Sequence, residues 1–371
     1  MAHNPERLSR LRAVMRKQGI DVLYIRGLSN IVWATGFERV FDDEPAHALV
    51  IDAERCVLHT DSRYFDALTS AAQGTQVEVD GSRQAHSAVL RAAIDAVKAQ
   101  VERVQVGIED SLSLAEFRAL ERSFADEPLE FAELSGFVEA LRQVKDESEI
   151  VAMKKAQSIT DAAFAKIVEY MEPGMTEREV QLQLDSYMFE EGAEGLAFGT
   201  IVATGAHAAS PHAIPGETKL APGDAVVMDF GARYAGYCSD MTRTVFVGRP
   251  SEEACRAYAA IRRANEECEA MLRAGLTGAE VHEHAEAVLE EEGFGGAMGH
   301  SLGHSVGIDI HESPNLSPRN PLNLEAGNVV TVEPGIYLPG KFGMRLEDFG
   351  VVRAESYEAF TQSTHEMIII S

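Results

Sequence analysis

A chain of 371 residues exceeds the usual limit for one hydrophobic core and predicts about two domains. Its hydrophobic fraction of 45% and charged fraction of 25% are those of a soluble globular protein, not of a disordered or fibrous one. Thirty-three Lys and Arg against 59 Asp and Glu give a formal net charge of −26, which repels phosphate backbones and anionic membranes and argues against sequence-independent nucleic-acid binding.

The opening MAHNPERLSRLRAVMRK lacks the apolar stretch of a signal peptide, and no run approaches the ~18 apolar residues of a membrane span. Cys56, Cys238, Cys255 and Cys268 have no paired spacing and read as reduced structural thiols. A cytoplasmic location is expected.

Short apolar runs at 21–25, 48–51 and 104–108 alternate with helical patterns near 61–73 and 84–100, which predicts a small α/β domain. A polar stretch, RQVKDESE, then opens a long amphipathic helix expected over 150–171 and ended by Pro173 and Gly174. The domain boundary is expected here, with a first domain over 1–132 and a second over 133–371. Further helices are expected over 176–191, 251–274 and 278–292. The remainder is rich in β-branched runs separated by glycine and proline, so the second domain reads as α+β with an antiparallel sheet.

Residues 226–247, VVMDFGARYAGYCSDMTRTVFV, consist of two strand-like runs around a turn near 234–236, an antiparallel hairpin. A turn centred between Tyr234 and Ala235 sets Asp229 and Asp240 opposite each other, and a turn one residue later leaves them diagonal on the same face. Like charges there destabilise a half-buried hairpin, and a bound cation resolves the conflict. Pairing with Arg233 or Arg243, or turn capping, is the alternative that this segment leaves open.

Residues 299–314, GHSLGHSVGIDIHESP, carry His300, His304 and His311 among three glycines. Imidazole is the commonest transition-metal ligand and a proton carrier near neutral pH, and the glycines make a regular helix across this stretch improbable. In VVTVEPGIYLPGKFGMRLEDFGVV, residues 329–352, Glu333 and Glu347 each end a β-like run, where a glutamate rarely sits without a partner. Four carboxylates and one imidazole are a ligand count for two hard or borderline divalent ions.

Taken in order and spacing, DFGxxYxGYxSDxTRT, GHSLGHSVGxxxHExP, VEPGIY and GMRLED resemble the pita-bread metallopeptidases, that is aminopeptidase P, prolidase, methionine aminopeptidase and creatinase. The resemblance covers about residues 145–371. SNIVWATGF and DSRYFDAL extend it to the creatinase/prolidase N-terminal domain, and this N-terminal domain favours the proline-directed branch. It implies that Asp229 chelates one ion, that Asp240 and Glu347 bridge both, and that His304 and Glu333 complete the other shell. It further implies two ions that supply a nucleophile at neutral pH and polarise the scissile carbonyl. His212 and His311 would contact substrate, Glu333 would move a proton to the leaving nitrogen, and Tyr337 and Arg345 would orient the bridging carboxylates. His300 matches a pocket-lining position of the family, whereas His207, His282, His284 and His365 read as surface or structural and Trp33 as core or interface.

Prolidases hold the free carboxylate of an Xaa-Pro dipeptide with an arginine shortly after HExP. Asn315 stands there instead, and Arg319 lies four residues further on. The expectation is therefore an Xaa-Pro aminopeptidase acting on peptides with proline in second position, with an Xaa-Pro dipeptidase as the alternative. It would use Mn or Co, or else Zn or Fe(II), as a homodimer without nucleic-acid or membrane partners. A metal-free creatinase-like hydrolase and a non-catalytic peptide-binding protein are the competing classes, both contradicted if hydrolysis requires a stoichiometric ion.

Overall fold

Buried apolar runs separated by polar turns organise the first of two units, which the computed structural model describes over residues 5–42 and 44–142; the second unit is described throughout, over 143–371. In chain order the first unit contains α1 (Pro5–Gln18), β1 (Val22–Ile25), α2 (Leu28–Thr35), β2 (Ala48–Ile51), β3 (Cys56–His59), α3 (Phe65–Ala71), β4 (Glu78–Asp80), α4 (His86–Val97), β5 (Val104–Glu109), α5 (Leu114–Ser123), β6 (Leu129–Leu134) and α6 (Glu139–Arg142). Its strands form one mixed sheet in the order β4-β3-β2-β1-β5-β6. The central strands are buried along their whole length, which is why they read in sequence as unbroken apolar runs. Alternate residues Val22, Tyr24, Val50, Val104 and Val106 present one face to Val89, Leu90, Ala93 and Ile94 of α4 and to Leu120 of α5. Trp33 is buried in this unit with the Arg7 guanidinium over its ring. β6 pairs with β5 from Leu129 to Leu134, so a domain end at residue 132 would cut a strand. The chain passes from the first unit to the second between Arg142 and Gln143.

The second unit contains α7 (Glu147–Tyr170), α8 (Glu177–Glu190), β7 (Gly195–Leu196), β8 (Ile201–Thr204), β9 (Ala225–Phe230), β10 (Ala232–Tyr234), β11 (Tyr237–Cys238), β12 (Met241–Val247), α9 (Glu252–Met271), α10 (Gly278–Glu291), β13 (Gly303–Ser305), β14 (Glu312–Leu316), β15 (Val329–Val332), β16 (Gly335–Leu338), β17 (Phe342–Arg345), β18 (Asp348–Val352), β19 (Tyr357–Ala359) and β20 (Ile369–Ile370). Among the described residues its strand pairings are antiparallel apart from β12 with β20. α7 starts three residues before the expected position 150, because Asp146 caps it: its side chain accepts from the Ser148 and Glu149 backbones while Glu149 reaches back, a capping box. Thr176 with Glu179 and Thr277 with Glu280 start α8 and α10 in the same way.

Each helix pair covers its own set of strands. α7 and α8 bury Ile159, Phe164, Val180 and Leu184 against Val226, Met228, Phe230, Met241 and Val245. α9 and α10 bury Ile261, Ala264, Val281 and Leu289 against Val330, Val332, Ile336 and Met344. Strand periodicity then dictates where the acids go: with Val226, Met228 and Phe230 committed to the α7/α8 core, Asp229 must emerge on the opposite face of β9.

Candidate metal centre

The hairpin register decides how the two aspartates meet. Tyr234 pairs with Tyr237 and Arg233 with Cys238, so the turn is Ala235-Gly236, both at positive φ (49° and 78°), the backbone of a two-residue turn whose twist suits adjoining strands. Of the two registers compatible with the sequence, this is the later one. Asp229 faces Thr242 across the ladder, and Asp240, two residues before Thr242, is its diagonal neighbour on the same face. Between them the strands approach so closely that a Cβ on Gly231 would lie 2.0 Å from the Ser239 carbonyl oxygen.

The second sheet delivers the other candidate ligands. Val332 pairs with Asp348 at the end of the β15/β18 ladder, and the next residues along, Glu333 and Glu347, leave that end together. His304 lies in β13, beside β15, on an extended stretch as its glycine content required, so it shares no helix face with His300. Oxygens of Asp240 and Glu347 and a ring nitrogen of His304 lie within 4.8 Å of one another, a group able to hold one ion. His304 Nε2 is 3.5 Å from Asp240 Oδ2 and 3.5 Å from Glu333 Oε1. Asp229 stands outside that tight group, its Oδ2 taken by Arg345. All five line one cavity of about 450 Å³.

The electrostatics of this group ask for cations. Burial, then the charges of Glu347 and Asp229, push the Asp240 carboxyl well above its ordinary value. Burial, then Glu333 and Asp229, do the same to Glu347, while burial lifts Glu333 to about 8 against the pull of Arg345. Burial, then His311, drives His304 down to about 4, which keeps its imidazole neutral and able to ligate. Asp229 Oδ1 is buried with no hydrogen-bond partner, a cost that protein–protein hydrogen bonds leave uncompensated. An orphaned carboxylate oxygen among buried carboxylates and a neutral imidazole fits oxygen- and nitrogen-seeking divalent ions.

Supporting groups fix these side chains. Thr242 Oγ1 donates to Glu347 Oε2 at 2.6 Å and accepts from Arg345 Nε at 2.9 Å. Arg345, fully enclosed, also donates to Asp229 and, at 2.6 Å, to Tyr337 Oη. Thr331 Oγ1 donates to Glu333 Oε1 at 3.2 Å and accepts from the His304 backbone at 3.0 Å. Lys145 Nζ bonds Ser305 Oγ at 2.9 Å and Glu312 Oε2 at 3.1 Å, tying the strand bearing His304 to the residue after His311. The sequence reading did not include Thr242, Thr331 or Lys145. Two of them are threonines with strand parity matching the ligands, which is the only signal they carry.

His212, His300 and His311 line the same cavity, with Phe198, Ile201, Pro211 and Ile310 as apolar neighbours. The His304 and His311 rings approach with centroids 4.4 Å apart, and His300 Nε2 lies 3.2 Å from Tyr337 Oη. Tyr337 acts through Arg345 and His300 and is not itself a lining residue. Arg319 does not reach the site: Leu316 and Ser317 are buried at the end of β14, and the following turn leaves the Arg319 side chain exposed and outside the lining, which contains Asn315.

Residues 151–354 match metallopeptidase family M24, and residues 7–144 match the creatinase/prolidase N-terminal domain. The chain is similar to an Xaa-Pro dipeptidase of Lactobacillus delbrueckii subsp. lactis, 31% identical over 371 residues with 98% of both chains covered. Among solved structures it resembles an Xaa-Pro dipeptidase from Bacillus anthracis, with TM-score 0.90, 35% identity and coverage of 98% of this chain and 99% of that one. It also resembles an X-Pro aminopeptidase from Thermotoga maritima, with TM-score 0.86, 34% identity and coverage of 98% and 100%.

Proposed function

This chain belongs to metallopeptidase family M24, and we propose that it is a dinuclear-metal peptidase that releases the N-terminal residue from peptides whose second residue is proline. The observation that carries the aminopeptidase choice is the charge of the cavity. Arg345 is the single Lys or Arg among the lining residues, and Asp229, Tyr337 and Thr242 already engage it. Among the described residues the lining therefore offers no unengaged Lys or Arg for the free carboxylate of an Xaa-Pro dipeptide, whereas a longer peptide presents a neutral carbonyl there. The likeness to Xaa-Pro dipeptidases supports the second reading, cleavage of the dipeptide itself.

In this reading Asp229, Asp240, His304, Glu333 and Glu347 hold two divalent ions, which when bound supply Lewis acidity and a nucleophile at neutral pH. Glu333 takes the proton of the attacking water on a carboxylate oxygen and delivers it to the leaving proline nitrogen. His212 and His311 donate N–H to the oxygen on which charge develops. Arg345 keeps Asp229 oriented, and Thr242 does so for Glu347. Phe198, Ile201 and Ile310 offer an apolar lining suited to a pyrrolidine ring.

Manganese or cobalt, a homodimeric state and a cytoplasmic location complete the proposal. The oxygen-rich donor set supports the metals, and the buried thiols Cys56, Cys238 and Cys268 suit a reducing compartment. The dimer rests on the resemblance, and sedimentation tests it. The functional reading is tested by assaying the Mn-loaded protein on matched Xaa-Pro-Yaa and Xaa-Pro substrates. Faster release from the longer peptide is expected, and activity confined to the dipeptide overturns the aminopeptidase choice.

A further inference from the structure

One carboxylate pins the loop that carries His212 at both of its ends. Glu177, the first residue of α8, is wholly buried. Its Oε1 accepts from the Thr204 backbone N–H at 2.9 Å and lies 2.7 Å from His207 Nδ1. Its Oε2 accepts from the Gly216 N–H at 3.0 Å. In return, the first N–H groups of α8 bond the loop: Glu177 N donates to the Thr218 carbonyl at 3.0 Å and Arg178 N to the Gly216 carbonyl at 3.1 Å. Thr204 ends β8 and Gly216 lies beyond His212, so the stretch between them is clamped to one rigid helix.

Besides this clamp, the short 3-10 turn Gly205–Ala209 abuts β17, where a Cβ on Gly343 would lie 1.9 Å from the Ala208 carbonyl oxygen. The stretch's own apolar contacts are a small cluster of Ala203, Ala208, Ala213 and Val227, and Ile214 is 82% exposed. A glutamate at a helix start ordinarily favours the dipole from an exposed position. Complete burial with both oxygens engaged by loop donors is costly unless those donors are the purpose.

We propose that Glu177 is a positioning residue for the peptidase reaction: by holding both flanks of the 204–216 loop it fixes where the His212 imidazole stands in the cavity. The inference rests on the reading of His212 as a group that contacts substrate. A glutamine at 177 has one acceptor oxygen, so it satisfies either Thr204 or Gly216 and turns an N–H toward the other. The loop then loses one anchor while the α7/α8 core keeps its shape.

The test compares full-length, Mn-loaded wild type, Glu177→Gln, His212→Ala and the double variant, read by Xaa-Pro-Yaa hydrolysis at high enzyme concentration and by backbone amide exchange. Glu177→Gln is expected to lower kcat by about 10- to 100-fold with KM little changed, the loss typical of a misplaced reacting group. Exchange should quicken at residues 204–216 while β9 and β12 stay as in the wild type. In the His212→Ala background the same substitution should cost almost nothing, because its effect runs through His212. Equal losses in both backgrounds, or faster exchange throughout the second unit, overturn the proposal in favour of a structural role. Should Glu177→Gln fail to fold, His207→Ala removes one donor at a partly exposed edge: a loss of kcat of about threefold that vanishes in the His212→Ala background supports the proposal, and an equal loss in both contradicts it. A wild type inert toward Xaa-Pro peptides overturns the functional reading and this proposal with it, whereas an active wild type with additive losses overturns this proposal alone.

Discussion

Thr242 shows how far single hydroxyls reach into the site, because its Oγ1 ties Glu347 to Arg345, and Arg345 in turn holds Asp229. Thr242→Val keeps shape and strand propensity but removes both bonds. Metal affinity is expected to fall by about 10- to 100-fold, as for other groups that orient ligands, and a competition titration against a chelator measures it. Asn315 is the second informative residue. Asn315→Arg would add a guanidinium to the cavity lining, and the ratio of kcat/KM for Xaa-Pro over Xaa-Pro-Yaa should rise about tenfold, the worth of one charge-assisted hydrogen bond. An unchanged ratio would show that the substrate carboxylate does not approach this position. The acids that share this cavity stood out in sequence, since an Asp or Glu ending an apolar run conflicts with burial unless something compensates it. Thr242 and Glu177 were not: threonine is at home in any strand and glutamate at any helix start, so neither conflicts with its local sequence.

At the level of elements, period-2 alternation specified the hairpin but not its register, because both turns kept Asp229 and Asp240 on one face. The turn itself chose, Ala235 and Gly236 taking the positive φ angles. Gly231→Ala tests the close approach that follows: its Cβ would press on the Ser239 carbonyl, and a loss of about 1–3 kcal/mol in urea unfolding is expected, together with weaker metal binding. In the first unit, β4 went unread because Glu78–Asp80 is short, polar and partly exposed, whereas β1 and β2 announced themselves as buried apolar runs. That unit also carries a pH dependence. Burial, then Arg26 and His59, lowers His86 from 6.5 to about 4, and its Nδ1 lies 2.6 Å from that of His59. The unfolded chain therefore takes up this proton first, so the contribution is complete above pH 6.5 and is lost as pH falls through about 4. The unfolding midpoint should drop over that window, and His86→Asn should flatten the drop; identical profiles would contradict the assignment.

For the whole molecule, the cavity gathers Asp229, Asp240, Glu333 and Glu347 in a chain whose net charge is already −26, so cation binding relieves repulsion both locally and globally. Exhaustive chelation should lower Tm, and stoichiometric Mn should restore it, because ions that bind only the folded state stabilise it by mass action. The two-unit organisation was legible from length and from the charged stretch near residue 145, but the inclusion of residues 133–142 in the first unit was not. β6 is intermediate or exposed at each residue and carries no apolar run to mark it as the last strand of the first sheet. The central claim is that five side chains from two sheets hold a pair of ions that make this chain a peptidase. The most direct measurement is release of the N-terminal residue from an Xaa-Pro-Yaa tripeptide by chelated protein as Mn is added back. The account predicts no release without metal and a rise that saturates as the paired site fills; hydrolysis that survives exhaustive chelation, or none at any metal concentration, would contradict it.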